Sequence, residues 1–190
     1  MANDYWMLEC YFFDEDDYTD VGKYPAIDGV TTWADGRRFD KEIPQPLKFE
    51  WEPSSSGPKL AYYKNTIPLL RKDVFEALRA AGVDNLDAYR AEIRDAGTGQ
   101  ADTTYVAVNV IGLVSAADLA KSDHADPSGG RLIDMDFESL AIDPSKAKGM
   151  KMFRLAECVT GVLIHKSVKE HLESKGGFGL TFVPPSEWIG

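Results

Sequence analysis

The sequence predicts an α+β protein, with a few helices packed on a mostly antiparallel or mixed sheet. Short runs of β-branched and aromatic residues recur along the chain. Only two segments carry a clear helical period, each closed by glycine. Clusters of Pro, Gly, Ser and Asp punctuate the strand-like runs.

The first strand is expected over residues 5–13, an aromatic and apolar stretch with one acid inside it. It runs into Asp14-Glu15-Asp16-Asp17 and then a Gly-, Pro- and Asp-rich stretch to about Pro46. Residues 47–52 and 59–63 alternate as strands do, and Pro53-Ser54-Ser55-Ser56-Gly57-Pro58 turns the chain between them. The apolar run 67–70 leads into a helix over 71–81. There Val74, Ala77, Leu78 and Ala81 share a face, and Gly82 is the stop.

Residues 87–93 read as a weak strand or equally as helix, whereas 104–113 is a firmer, β-branched strand. Pro127-Ser128-Gly129-Gly130 marks a turn, and 131–142 alternates partly, as an extended edge does. Two short strands at 152–155 and 161–164 precede a second helix over 166–174. Val168 and Leu172 lie one turn apart on it, Gly176-Gly177 ends it, and 178–183 forms the last strand.

Shifting the chain by 94 positions aligns the two helices: Lys72 meets Lys166, Val74 meets Val168, Glu76 meets Glu170, Leu78 meets Leu172 and Gly82 meets Gly176. One reading is a duplicated strand–helix–strand unit. The other is that any amphipathic helix with a glycine stop produces such matches. Both stay open at this point.

The 190 residues, 44% of them hydrophobic, suffice for one core of ordinary size. Acidic residues number 31 against 21 basic ones, a net charge of −10. That balance repels nucleic-acid backbones and anionic membranes and attracts basic partners. Cys10 and Cys158 are too few and too far apart for a disulfide framework and read as buried thiols of a reducing compartment. The opening Met1-Ala2-Asn3-Asp4 lacks the basic and apolar regions of a secretory leader, and no apolar run is long enough to cross a bilayer. A cytoplasmic location is therefore expected.

No motif for catalysis stands out. His165 and His171 are six apart, a spacing that does not set two ligands on one helix face, and His124 sits in a polar loop. Gly176-Gly177-Phe178-Gly179 follows a helix instead of leading into one, so it reads as a turn and not a phosphate cradle. No cofactor and no metal are expected. Arg154, between Phe153 and Leu155, reads as a structural residue paired with an acid such as Glu157 or Asp136. Asp134, Asp136 and Glu138 alternate along an extended segment and would share one face. That row, and the acidic block with Asp14, Asp16 and Asp17, are the candidate contacts for a basic partner. Solvated loop and edge strand are the plain alternatives.

From about Ile67 onward, several segments resemble a known family. They include Pro68-Leu69-Leu70-Arg71-Lys72-Asp73-Val74, Ala80-Ala81-Gly82-Val83-Asp84-Asn85-Leu86-Asp87-Ala88-Tyr89 and Tyr105-Val106-Ala107-Val108-Asn109-Val110-Ile111-Gly112. Further on come Asp118 and Ser122, Met152-Phe153-Arg154-Leu155-Ala156-Glu157, Val162-Leu163-Ile164-His165 and Gly179-Leu180-Thr181-Phe182. In order and spacing they resemble the polymorphic-toxin immunity proteins typified by a myxobacterial member, a family once catalogued as a domain of unknown function. The resemblance covers roughly the last two thirds. It implies one immunity-type domain over 1–190, with a variable β-rich part at 1–65 and a family-like α+β part at 66–190. It carries no catalytic motif. It implies a non-enzymatic inhibitor of a cognate toxin encoded nearby but does not name that toxin; the acidic balance of the chain suits a basic one, such as a nuclease. Two other classes are weighed against it: a small-molecule or peptide-binding accessory module, and a hydrolase using carboxylates with His124 or His165.

Overall fold

The computed structural model describes residues 4–10, 18–125 and 135–190. The aromatic start forms β1 (Tyr5–Glu9), followed by β2 (Val21–Lys23), β3 (Leu47–Trp51) and the short β4 (Tyr62–Tyr63). Strand β5 (Leu69–Arg71) runs straight into α1 (Lys72–Ala80). Next come β6 (Leu86–Arg94), β7 (Ala101–Asp102) and β8 (Tyr105–Val110). Then follow β9 (Leu113–Val114), β10 (Asp123–Ala125), β11 (Asp136–Ser139) and β12 (Met152–Leu155). Strand β13 (Val162–His165) again runs straight into a helix, α2 (Lys166–Ser174), and β14 (Thr181–Val183) is last.

The fold is α+β with mixed sheets. The larger sheet has the order β2-β3-β6-β8-β5-β4, with β7 beside β6, and the smaller has the order β14-β1-β13-β12-β9. Strand β3 runs parallel to β6 and β9 to β12; the other pairings are antiparallel. Strand β1 therefore lies inside the smaller sheet, between β13 and β14, rather than in a separate N-terminal layer.

Several expectations are sharpened. Residues 87–93, open between helix and strand, belong to β6. The expected strand over 104–113 breaks at Gly112, whose φ of 121° lies in the left-handed region. Its N–H meets the Gly36 carbonyl at 2.8 Å, and a side chain there would collide with Met150. The chain past that break crosses to the other sheet as β9. Of residues 59–63 only Tyr62 and Tyr63 join a ladder, and Lys59 makes an isolated bridge to Thr19.

The duplicated strand–helix–strand unit is present, and it extends beyond the helices. Strands β5 and β6 flank β8, and β13 and β14 flank β1, each middle strand antiparallel to both neighbours. Arg71 pairs with Tyr105 and Asp87 with Asn109; 94 positions on, His165 pairs with Tyr5 and Thr181 with Glu9. Lys72 N–H donates to the Thr104 carbonyl and Lys166 N–H to the Asp4 carbonyl, both at 2.8 Å. Both helices close alike, with Val83 N–H on the Leu78 carbonyl and Gly177 N–H on the Leu172 carbonyl.

Even the outer hairpins agree. Tyr62 faces Leu70 in one and Met152 faces Ile164 in the other, so Lys64 and Arg154 occupy matching places two residues further on. The halves differ in chain order: β8 follows β6, whereas β1 precedes its whole unit. The second unit is thus a circular permutation of the first.

Alternation along the strands divides the core. Leu8, Leu70, Val106, Val108, Val162 and Ile164 face the helices and pack with Val74, Leu78, Val168 and Leu172. On the opposite side of the larger sheet, Phe49, Ile93, Tyr105 and Ala107 are covered by the segment carrying Trp33 and Ile43. On the opposite side of the smaller sheet, Met7, Phe153 and Leu163 lie under Phe137 and Trp188. Each such large side chain contributes about 1.5–3 kcal/mol by leaving water. Strand β8, covered on both faces, is buried throughout and reads as an unbroken apolar run for that reason.

Candidate functional site

The acidic residues singled out in the sequence fall in two groups. Asp14, Asp16, Asp17 and Asp134 lie outside the described residues. Asp136 and Glu138 lie on β11, which pairs with β10 in a ribbon apart from both sheets. Both are exposed, and Phe137 between them is buried at 1%. Period-two geometry explains the split: Phe137 is held against Trp188, with ring centroids 6.4 Å apart, while its two neighbours face water. Asp123 on β10 is exposed as well. The ribbon thus shows carboxylates outward and is fixed inward by one aromatic ring.

The histidines are dispersed. His124 lies on β10, its Nδ1 3.3 Å from the Ser122 carbonyl and its ring tilted against Phe137. His165 caps α2, its Nδ1 accepting the Ser167 N–H at 3.2 Å. His171 is on α2. Among the described residues no three His, Cys, Asp or Glu side chains are grouped to hold a metal.

Among the described residues, the carboxyl groups with a shifted pKa are all shifted to lower values, by ion pairs and turn hydrogen bonds. Arg71 holds Asp73 low through contacts of 2.7 and 2.9 Å. Asp95 is lowered by the backbone and side chain of Thr98. Burial would raise Asp102, but Lys59 at 2.7 Å and the Thr104 hydroxyl and N–H outweigh it. These carboxyl groups are therefore held in the ionised form.

Arg154 departs from its expected pairing. It is 5% exposed on β12 and donates from Nη1 to the Val159 carbonyl, not to Glu157 or Asp136. Glu157 instead takes the Ser115 hydroxyl at 2.5 Å. Strand register explains the difference, since Arg154 sits in a row with Val162 and therefore points to the helix side of the sheet. The thiols are both free, with Cys158 buried as expected and Cys10 only half-buried.

One buried charge escaped the sequence reading. Glu9, the acid inside the first strand, is 1% exposed and accepts Lys64 Nζ on both oxygens at 2.6 and 2.7 Å. Trp188 Nε1 completes the set at 2.8 Å. A carboxylate within an aromatic strand was the available signal, but its partners lie 55 and 179 residues away. No family model matches the chain, and no curated protein matches it in sequence.

Proposed function

We propose that this chain is an immunity protein of the cytoplasm, a non-enzymatic acidic binder that neutralises a basic toxin encoded nearby. The observation that carries the reading is the β10–β11 ribbon, where Asp123, Asp136 and Glu138 face water and buried Phe137 holds the strand in place. In a chain of net charge −10, such a surface attracts cationic protein faces at long range and repels phosphate backbones. Toxins that act on nucleic acids carry basic surfaces because they bind phosphates. The resemblance of residues 66–190 to immunity proteins supports the same reading. No helix of the described residues is long and apolar enough to cross a membrane.

The test is co-expression with the product of the adjacent gene, followed by pull-down and growth rescue. A stable complex that restores growth is expected. If there is neither complex nor rescue, the immunity reading fails.

A further inference from the structure

A second feature lies away from the acidic ribbon. The turn after β4 and the turn after β12 occupy equivalent places in the two units, and they meet across a cavity of about 350 Å³. Lys64 and Thr66 line it from the first turn; Arg154, on β12, and Thr160, in the turn that follows, line it from the other side. Trp33 and Ala34, from the segment that covers the larger sheet, form a further wall. The two basic residues are the register mates already described, so the duplication itself brings two cations to one opening.

Their charges are not balanced within the described residues. Lys64 is matched by Glu9, whose Oε1 also accepts from Trp188 Nε1. Arg154 has only the Val159 carbonyl, and its Nε is buried without a hydrogen-bond partner. A guanidinium carries five N–H donors, and a buried one held by a single neutral acceptor is costly. Among the described contacts Glu9 meets Lys64 and Trp188, and Arg154 is not joined to it. Among the described residues, two positive groups and one carboxylate leave a local excess of positive charge, in a protein whose overall balance is strongly negative.

We infer that this cavity binds a small oxyanion, the carboxylate or phosphate head of a small molecule, with Arg154 as its principal partner and Lys64 beside it. An incoming oxygen pair would complete the donor set that Val159 leaves open, and the fork of a guanidinium suits both head groups. Thr66 and Thr160 line the opening beside them. The cavity is at the small end of the range for small-molecule sites. Because both units contribute to it, an occupant would brace one sheet against the other. The inference is independent of the toxin reading.

The test is thermal unfolding of the whole chain with sodium acetate or sodium phosphate, against sodium chloride at matched ionic strength. A ligand that binds only the native chain raises the melting temperature in a saturable way. A saturable rise with either anion is expected: a response to phosphate alone assigns a phosphoryl head, and one to acetate alone a carboxylate. The apparent affinity should fall at least tenfold in Arg154→Gln. Ala34→Trp, which fills the mouth without touching a charge, should do the same and keeps the test decisive if the first variant does not fold. A response no larger than chloride gives, or one undiminished by Ala34→Trp, would overturn the assignment.

Discussion

Glu9 and Asn109 occupy the same position in the middle strands of the two units, and both are 1% exposed. One is satisfied by Lys64 and Trp188, the other by donating from Nδ2 to the Arg37 carbonyl at 2.7 Å. The duplication thus preserves a buried polar place while changing its chemistry from a charged group to a neutral one. In each half the bond ties the central strand to a segment outside its own unit.

The charged version is the more vulnerable. Lys64→Met would leave the Glu9 carboxylate buried with Trp188 as its remaining partner. Removing one member of a buried pair costs about 3 kcal/mol, largely from the stranded charge. Urea unfolding should show that loss. Adding Glu9→Gln should recover part of it, because the neutral amide still accepts from Trp188. A double variant no more stable than Lys64→Met would show that the stranded charge is not the cause.

The two helix stops differ in what a methyl group would meet. Gly82 and Gly176 have φ of 86° and 93°, a region in which an L side chain is strained by about 1 kcal/mol. A Cβ on Gly176 meets nothing within 4 Å, whereas one on Gly82 lies 2.5 Å from Lys151 Nζ. That ammonium donates to the Ala81 carbonyl at 2.7 Å. Gly176→Ala should therefore cost about 1 kcal/mol, and Gly82→Ala more, since Lys151 must also move. Thermal unfolding of the two single variants gives the comparison.

High pH should unfold the chain through its tyrosines. Burial pushes Tyr62 and Tyr105 up to about 12, and Tyr24 to about 12 against an opposing hydrogen bond from Asn65. Tyr63 is pushed further still, also by burial. The folded values exceed the unfolded value of about 10, so the folded state holds these protons more tightly. Their contribution is complete below about pH 10 and falls as pH rises through 12. The urea midpoint should be flat from neutral pH to about pH 9 and then drop. Phenolate absorbance from these residues should appear together with unfolding rather than before it.

How much was legible varies with how local each signal is. The second helix was readable to its ends, because Val168, Leu172 and the glycine pair lie within a few turns of one another. Strand β6 stayed ambiguous because Leu86, Ala91 and Ile93, its buried residues, do not alternate cleanly. The two-residue β9 and the three-residue β10 exist only through distant partners, β12 and β11. The 94-residue echo was visible as matching letters in the helices. Its larger meaning lay in β1 and β8, whose equivalence follows from hydrogen-bond register and is hidden by the permuted chain order. For the candidate site, the alternation of Asp136 and Glu138 about Phe137 was local and therefore readable. The Lys64–Arg154 pairing depends on two registers at once, which no single window of sequence contains.

The ribbon gives the sharpest test of partner binding, because its charges and its anchor can be changed separately. Asp136→Lys with Glu138→Lys alters only exposed side chains, so stability should move by less than about 0.5 kcal/mol. Toward a basic toxin, the same pair should slow association by about tenfold at low salt, with the difference shrinking as salt screens the surface. Phe137→Ala should do the reverse. It removes a ring packed against Trp188 and should cost about 3–4 kcal/mol of stability, leaving the outward charges in place on whatever fraction stays folded. Stopped-flow association over a salt series, beside urea unfolding of each variant, separates the two effects. If charge reversal leaves the association rate and its salt dependence unchanged while the complex still forms, the toxin docks elsewhere on the chain and the ribbon is only a solvated edge.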